Sequence, residues 1–231
     1  MELSNNTRSL SALQQSFTSI VSYPDRVAAW GDARYRGNCD GRLFLNLVLR
    51  YGPRRVADPM LGSGTTRDVV EWLNQHSTQR VEYWGSDLRK GFNLWTNDLP
   101  GTFDLVWLHP PYFNIISYSD KGEDLSNIDD YGHFRQASAS ACSAYASLAL
   151  GGRLAVLVGD VRRKGKYIPI VRDVLNWEGE LGQLRAVIIK AQHNCRSDGV
   201  NYARMEDPRI QHEYCVLFKK PVIPEPARSA A

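Results

Sequence analysis

Two short stretches of the chain combine residue types that could bind a ligand and act on it. Val56–Arg67 reads VADPMLGSGTTR, an apolar lead-in followed by Asp58, a Gly-Ser-Gly turn and two threonines that open a helix. Such a turn brings backbone N–H groups and a helix N-terminus together at the end of a buried strand. In an open α/β sheet a nucleotide-like ligand binds at a turn of this kind. The second stretch, Leu108–Phe113 (LHPPYF), carries side chains for the chemistry that this binding turn would serve.

An acidic residue follows the glycine turn at a spacing typical of nucleotide-binding units. The alternating stretch Arg80–Ser86 (RVEYWGS) predicts a strand, and Asp87 comes directly after it. Asp87 lies about 20 residues beyond the glycine turn, the spacing at which an acid meets ribose hydroxyls. The alternative is an acid that only occupies a solvated turn.

The elements around these stretches alternate between strand and helix patterns. The apolar run Phe103–Leu108 predicts a central strand, and Asp40 predicts the cap of the helix that precedes the glycine turn. A helix is predicted over 134–148, ending at Gly151–Gly152. The alternation predicts a doubly wound, Rossmann-like α/β fold with a mostly parallel sheet, in which the last two strands pair antiparallel at one edge.

The predicted organisation is one domain with flexible ends. Residues 1–22 are rich in Ser, Asn, Gln and Thr and predict a flexible arm, and residues 220–231 predict a disordered tail. Residues 23–219 then form the single domain, with polar insertions near 114–130 and 192–211.

The composition argues against several functional classes. Of the 231 residues 43% are hydrophobic and 23% charged, as in an ordinary globular protein. No apolar run approaches membrane-spanning length and the N-terminus is polar rather than signal-like, so we expect a cytoplasmic protein without a membrane partner. Four cysteines without CxxC spacing argue against a zinc site, and no metal is expected. A net charge of +3 permits a nucleic-acid partner without requiring one.

The stretches DPMLGSGTT and HPPYF together resemble the two motifs of the amino-group DNA methyltransferases. In that family Asp-Pro-Phe-x-Gly-Ser-Gly-Thr-Thr binds the methionine part of S-adenosylmethionine, and (Asp/Asn/Ser)-Pro-Pro-(Tyr/Phe/Trp) grips the target amino group. RYRGNCDG resembles the segment that closes over the cofactor's other side, and HEYCVLFKK resembles the closing strand. The resemblance spans roughly residues 23–219. It implies a methyltransferase sheet, S-adenosylmethionine as cofactor, and methylation of adenine or cytosine in double-stranded DNA.

The motifs and their positions nominate three groups of residues. Those expected to hold the cofactor are Asn38, Asp58, Pro59, Gly62, Ser63, Gly64, Thr65, Asp87 and Phe92. Those expected to act on a flipped base are His109, Pro110, Pro111 and Tyr112. Those expected to contact nucleic acid are Tyr118, Arg162, Arg163, Lys164 and Lys166. Simpler interpretations stay open: Asp58 as a turn cap, His109 as a buried structural histidine, and the basic run as a solvated loop.

The second motif departs from the family pattern at His109. An exocyclic base nitrogen is a poor nucleophile because its lone pair is delocalised, and acceptors on its two hydrogens favour the attacking geometry. The Pro-Pro turn can fix one side-chain acceptor and the Pro110 carbonyl, while Tyr112 stacks on the base. His109 accepts only when neutral and through one ring nitrogen. We therefore predict that activity falls as the pH drops through its pKa, and a flat rate from about pH 8 to pH 5.5 would count against this role.

The histidine also leaves the target open, with adenine slightly favoured over cytosine. RNA is the alternative substrate, because no segment forms an obvious large target-recognition domain. The insertions near 114–130 and 192–211 would then recognise the target, in a monomer or a homodimer. A third hypothesis is a catalytically silent module that binds S-adenosylmethionine or DNA. A role in restriction-modification is a further expectation from the family.

Overall fold

The fold is that of a computed structural model, which describes residues 17–138, 142–194 and 205–222. The strands in chain order are β1 (Ile20–Ser22), β2 (Arg55–Asp58), β3 (Glu82–Gly85), β4 (Phe103–Leu108), β5 (Leu148–Val158), β6 (Val161–Arg163), β7 (Lys166–Ile168), β8 (Gln183–Ala191) and β9 (His212–Lys219). The helices are α1 (Gly41–Tyr51), α2 (Thr65–His76), α3 (Tyr131–Ser138), α4 (Cys142–Ala146) and α5 (Ile170–Leu175). Single 3-10 turns lie at Leu88–Lys90 and Leu125–Asn127.

Seven of these strands form one sheet in the order β1-β8-β9-β5-β4-β2-β3. Strand β9 is antiparallel to both of its neighbours, β5 and β8, and the other pairs are parallel. The predicted mostly parallel sheet with an antiparallel last strand is therefore confirmed. The last two strands do not form its edge, however, because β1 adds beyond β8 through the pair Ile20↔Ile189.

Strand β1 also corrects the predicted arm over 1–22. Val21 in the middle of the strand is buried and belongs to the hydrophobic core. The short β-branched run Ile20-Val21 thus packs onto the domain where residues further along the chain offer a partner strand. Residues 1–16 of the arm, and residues 223–231 of the predicted tail, lie outside the described part of the chain.

Helices cover both faces of the sheet, which confirms the doubly wound architecture. On one face, α1 and α2 pack onto sheet residues such as Val56, Leu105 and Leu157. On the other, α3, α4 and α5 pack onto residues such as Ala57 and Val156. Successive residues of one strand pack into the cores on opposite faces of the sheet. The central strands are therefore apolar on both sides, as buried parallel strands are.

Of two predicted helix ends, the structure confirms one and corrects the other. Asp40 caps α1 as predicted, accepting a hydrogen bond from the Arg42 N–H at 2.8 Å. The helix predicted over 134–148 is wrong at its end, since α4 ends at Ala146 and Leu148 begins β5. Leu148 pairs with Phe103 of β4, so strand pairing overrides the helical pattern. Gly151 accordingly lies inside β5 and does not end a helix.

The polar insertions and the basic run fold differently from simple loops. The insertion near 114–130 contains Asp124, whose carboxylate accepts hydrogen bonds from Ser126 and Ser119. Of the second insertion, residues 195–204 lie outside the described chain. The basic run is part of a hairpin of β6 and β7, turned by Lys164 at φ 48° and Gly165 at φ 77°. Among the described helices none has the length and apolar character needed to span a bilayer.

Candidate active site

The two sequence motifs lie together at the carboxyl ends of neighbouring strands. Strand β2 ends at Asp58, directly before the glycine turn, and β4 ends at Leu108, directly before His109. These strands are parallel neighbours, so both carboxyl ends lie at the same edge. The chain leaves β2 for β3 on one side and returns to β4 on the other. Such a reversal of strand order opens a crevice in which ligands of α/β proteins bind.

The glycine turn has the conformation that its sequence requires. Gly62 and Gly64 adopt positive φ angles of 53° and 85°, and Gly64 is the N-cap residue of α2. A Cβ on Gly62 would come within 3.1 Å of the Tyr35 ring, so the turn also needs glycine for close packing. With glycine as its N-cap residue, α2 begins without a side-chain hydrogen bond to its first N–H groups.

Asp58 lies buried at the base of this turn. Its carboxylate accepts hydrogen bonds from the Met60 N–H at 3.0 Å and from the Thr66 hydroxyl. Burial raises the pKa of Asp58 to about 7, against the opposing effect of these two hydrogen bonds. The capping contacts expected of a turn acid are thus present, and the carboxylate would still gain from a nearby cation.

A first cavity lies over the glycine turn. The predicted cofactor residues that line it are Asn38, Asp58, Pro59, Gly62, Ser63, Thr65, Asp87 and Phe92. Gly64 does not line it and acts at the start of α2. Residues far apart in the chain therefore share one cavity at the predicted position.

The segment before α1 folds back over the turn. Asn38 accepts a hydrogen bond from the Thr65 hydroxyl at 2.5 Å and donates one to the Asp32 carbonyl at 2.8 Å. The Gly31 N–H donates to Asp68 at 2.8 Å. These contacts tie the 31–38 segment to the first turn of α2, so that it closes one side of the first cavity.

Asp87 and Phe92 border the same cavity from the other side. The Asp87 carboxylate accepts a hydrogen bond from the Lys90 N–H at 3.1 Å and so caps the 3-10 turn that follows β3. Phe92 packs edge-on against Trp84, with ring centroids 4.9 Å apart. Asp87 is therefore both a turn acid and a cavity-lining acid.

A second cavity of about 950 Å³ opens beside the first. It is lined by Pro110, Tyr112 and several charged side chains, while Pro111 faces the first cavity. His109 borders both cavities, as do Tyr35 and Tyr118, whose rings stack with centroids 5.9 Å apart. The HPPY motif thus lies at the junction of the two cavities.

His109 is the first member of a hydrogen-bonded chain of side chains. Its Nε2 lies 3.0 Å from the Tyr112 hydroxyl, and that hydroxyl donates to Glu213 at 2.8 Å. Glu213 also accepts a hydrogen bond from the Lys190 ammonium group at 2.6 Å. Burial raises the pKa of Glu213, but the combined effects of Lys190, His109 and Tyr112 outweigh burial and bring this pKa to about 2.

The surroundings of His109 keep its ring neutral. Burial lowers its pKa to about 4, with Glu213 opposing and Lys190 adding to the shift. The expected loss of activity therefore moves below pH 5, outside the range of about pH 8 to 5.5 considered from the sequence. A neutral His109 acceptor therefore predicts a flat kcat over that range when the cofactor is saturating.

The structure brings few of the predicted nucleic-acid contacts to the cavities. Arg162 lines the second cavity and pairs with Asp207 at 2.6 Å. Arg163 instead lies over the Phe113 ring, and Lys164 and Lys166 are exposed on the hairpin outside both cavities. The basic residues follow the carboxyl end of β5, as predicted. The hairpin nevertheless turns most of their side chains away from the cavities.

No protein-family model and no curated protein sequence matches the chain. Among solved structures it is similar to a candidate DNA modification methylase from Thermus thermophilus, with a TM-score of 0.39 and 19% identity, covering 76% of this chain and 56% of that chain. It is also similar to a Thermus thermophilus 16S rRNA methyltransferase in complex with AdoMet and guanosine (TM-score 0.41, 16% identity, 85% and 43% covered). A third is an N-methyltransferase from Bradyrhizobium japonicum in complex with S-adenosyl-L-homocysteine (TM-score 0.41, 11% identity, 82% and 90% covered).

The chain spans about half the length of the first two of these proteins. Similarities at these TM-scores leave its function to be inferred from its own residues.

Sequence reasoning missed two charged residues at the site, Lys190 and Glu213. Both are buried and line the second cavity. They face each other in the antiparallel ladder, each one residue from an end of its strand. A lysine and a glutamate in two strands predicted to pair are a signal that could have marked them, because such residues are rarely buried without a partner.

Proposed function

We propose that the chain is an S-adenosylmethionine-dependent methyltransferase that acts on the exocyclic amino group of a nucleobase. The observation that carries this proposal is the joining of two cavities at His109, one over the glycine turn and one beside Tyr112. A methyl donor in the first cavity and a base in the second would meet at the HPPY motif. Double-stranded DNA is the proposed substrate, with adenine slightly favoured over cytosine.

The lining of the first cavity fits this cofactor. A buried carboxylate with a raised pKa at Asp58 suits an ammonium group, and Asp87 suits ribose hydroxyls. Phe92 offers an aromatic surface, and Asn38 a side-chain amide held beside the α2 N-terminus. When bound, S-adenosylmethionine supplies an electrophilic methyl group on a sulfonium centre. The protein contributes mainly the positions of the two reactants.

Asp58 gives cofactor binding a specific pH dependence. A cation beside the carboxylate lowers its pKa below the free value of about 7, so binding releases a proton at lower pH. We expect the Kd for S-adenosylmethionine to rise about fivefold from pH 8 to pH 6, measured by titration calorimetry, of which Asp58 alone would give about tenfold. The α-amino group of the ligand titrates near pH 8, and its protonation would change affinity in the opposite direction.

Asp58→Asn is the matched control for this measurement. It should bind weakly and show no rise in Kd between pH 8 and pH 6. A wild-type Kd that is constant over this range would contradict the pairing of Asp58 with the ammonium group.

The second cavity supplies groups for the target base. Neutral His109 and the Pro110 carbonyl are the proposed acceptors for the two amino hydrogens. Tyr112 supplies the aromatic face, and its ring packs so closely on Gly159 that a Cβ there would come within 2.8 Å. A rigid ring of this kind suits stacking with a flipped base.

Arginines around the second cavity support a nucleic-acid partner. The arginines that line it are Arg26, Arg34, Arg36, Arg162 and Arg209. Guanidinium groups bind phosphate oxygens with two donors each. We propose that this rim holds the backbone beside the flipped base, while the hairpin residues Arg163, Lys164 and Lys166 contact nucleic acid further from the cavity.

Neutralising part of the rim should weaken DNA binding in a salt-dependent way. Arg34 and Arg36 are exposed, and the Arg34 side chain is 92% accessible. A plot of log K against log salt has a negative slope. We expect Arg34→Gln/Arg36→Gln to make this slope less steep by about 0.9 for each phosphate that the protein no longer neutralises. The measurement is fluorescence anisotropy with a DNA duplex over a salt series.

The charge-matched control is Arg54→Gln/Arg80→Gln. These arginines precede β2 and β3, at the opposite edge of the sheet, so this variant should keep the wild-type slope. Equal slopes for the wild-type protein and both variants would contradict a contact between this rim and DNA.

Nucleoside mass spectrometry of DNA and RNA from an expressing host tests the proposed function. We expect N6-methyladenine or N4-methylcytosine in DNA. Methylated bases in RNA alone would move the activity to the RNA alternative. If purified protein transfers no labelled methyl group to any nucleic acid, the silent binding module is the remaining hypothesis.

A further inference from the structure

Four side chains from three parts of the chain form an ordered series behind the HPPY motif. Lys190 on β8 and Glu213 on β9 face each other in the ladder, with Nζ 2.6 Å from Oε2. Glu213 Oε1 accepts the Tyr112 hydroxyl at 2.8 Å, and the same hydroxyl lies 3.0 Å from His109 Nε2. The series therefore runs from a buried ammonium group to an imidazole at the cavity junction.

The donors and acceptors in this series fix the direction of every proton. The Lys190 ammonium group only donates, and the Glu213 carboxylate only accepts. The Tyr112 hydroxyl has one proton, which it gives to Glu213. Its oxygen must then accept a proton from His109, which places that proton on Nε2.

Protonation states at neutral pH agree with this geometry. Burial raises the pKa of Glu213, but Lys190, His109 and Tyr112 together hold it at about 2, so the carboxylate is ionised. Burial and the neighbouring carboxylate raise the pKa of Tyr112 well above its ordinary value, so the phenol keeps its proton. His109 is neutral, and one of its nitrogens must be unprotonated.

We propose that Tyr112, Glu213 and Lys190 are positioning residues that hold His109 in the tautomer protonated on Nε2, leaving Nδ1 as the acceptor for the target amino group. The role of Nδ1 in catalysis rests on the proposed function, whereas the tautomer itself does not. Within the described residues Nδ1 takes part in no hydrogen bond, so its lone pair is available.

A purely structural role explains these residues less well. A buried ion pair contributes little net stability, and apolar residues of similar size often replace it without loss. Stacking on a base needs only the ring of Tyr112, and phenylalanine would supply it. The hydroxyl is needed for the hydrogen bond to His109, and Glu213 is needed to direct the phenol proton away from it.

Nitrogen-15 NMR of histidine-labelled protein measures the tautomer directly. The chain has five histidines, and the His109 signals are assigned by their loss in His109→Asn. At pH 7 we expect the wild-type protein to show a protonated Nε2 and an unprotonated Nδ1. In Tyr112→Phe the ring loses its partner, and we expect a mixture of both neutral tautomers.

Glu213→Gln provides a second variant if Tyr112→Phe does not fold. Its amide can donate to the Tyr112 oxygen, which frees the phenol proton for His109 Nε2 and shifts the ring toward the Nδ1-protonated form. Glu213 raises the pKa of His109 and Lys190 lowers it. Cys39 and Tyr118, on neighbouring segments, raise the pKa of Tyr112. The acid limb of activity should therefore move to lower pH in Glu213→Gln, with kcat about 10- to 100-fold lower and KM nearly unchanged.

Tyr214→Phe is the matched control, because the Tyr214 hydroxyl also pairs with a histidine, His212, at 2.7 Å outside the series. It should leave the His109 tautomer and kcat unchanged. An Nδ1-protonated His109 in the wild-type protein, or an unchanged tautomer in both Tyr112→Phe and Glu213→Gln, would overturn the proposal. The expected tautomer in a protein without methyl transfer would sustain the proposal and refute only the proposed function.

Discussion

His109→Ala is expected to lower kcat for methyl transfer by about 100- to 1000-fold, the size of effect seen when one preorganised hydrogen bond to a reacting group is removed. The alanine removes the side-chain acceptor at the junction of the two cavities and leaves the Pro110 carbonyl in place. Affinity for S-adenosylmethionine should change by less than about threefold, because the turn residues that hold the cofactor are separate. Radiolabelled methyl transfer and titration calorimetry measure the two quantities.

His109→Asn serves as the control that restores an acceptor oxygen. It should recover a large part of the missing kcat, and its activity should no longer depend on an imidazole. In the wild-type protein the pKa of His109 is lowered to about 4, so the neutral acceptor is present above this pH and disappears as the pH falls through it. Full activity in His109→Ala would assign His109 to a structural role.

Gly31→Ala is expected to reduce cofactor affinity at least about tenfold and to lower the melting temperature. Gly31 has a φ of +68°, where a side chain costs roughly 1–2 kcal/mol. Its Cβ would overlap the Thr65 hydroxyl and come within 2.8 Å of the Ser63 hydroxyl. The segment that closes the first cavity would have to move away from the glycine turn. Calorimetry and thermal unfolding measure both effects.

Gly179→Ala separates the clash from the backbone cost. Gly179 also has a positive φ, +93°, but no atom of the described residues lies within 4 Å of its added Cβ. It should lose stability without losing cofactor affinity. If Gly31→Ala behaves in the same way as Gly179→Ala, the 31–38 segment does not shape the cofactor site.

The sequence was enough to predict those elements whose conformation depends on residues close by in the chain. The strand Phe103–Leu108 has the predicted bounds, because a nearly continuous apolar run of this length between turn residues is typical of a buried strand. The glycine turn and the HPPY stretch were located for the same reason. Parallel strands bring their carboxyl ends to one edge, so their proximity was also predictable.

Strand pairing between distant segments was not predictable in this way. Strand β1 depends on Ile189 of β8, and Leu148 joins β5 because Phe103 offers a partner. Neither partner is near in sequence, so the local pattern predicted an arm in one case and a helix in the other.

The sequence by itself determined a glycine turn, a Pro-Pro-Tyr strand end and an acid at the ribose spacing. Only the tertiary structure decided the state of His109. Its neutral ring follows from burial, and its tautomer follows from Glu213, which lies 101 residues beyond Tyr112. Lys190, which lies 23 residues before Glu213, completes the series. Desolvation and proton direction depend on which groups surround an atom, and no spacing along the chain encodes them.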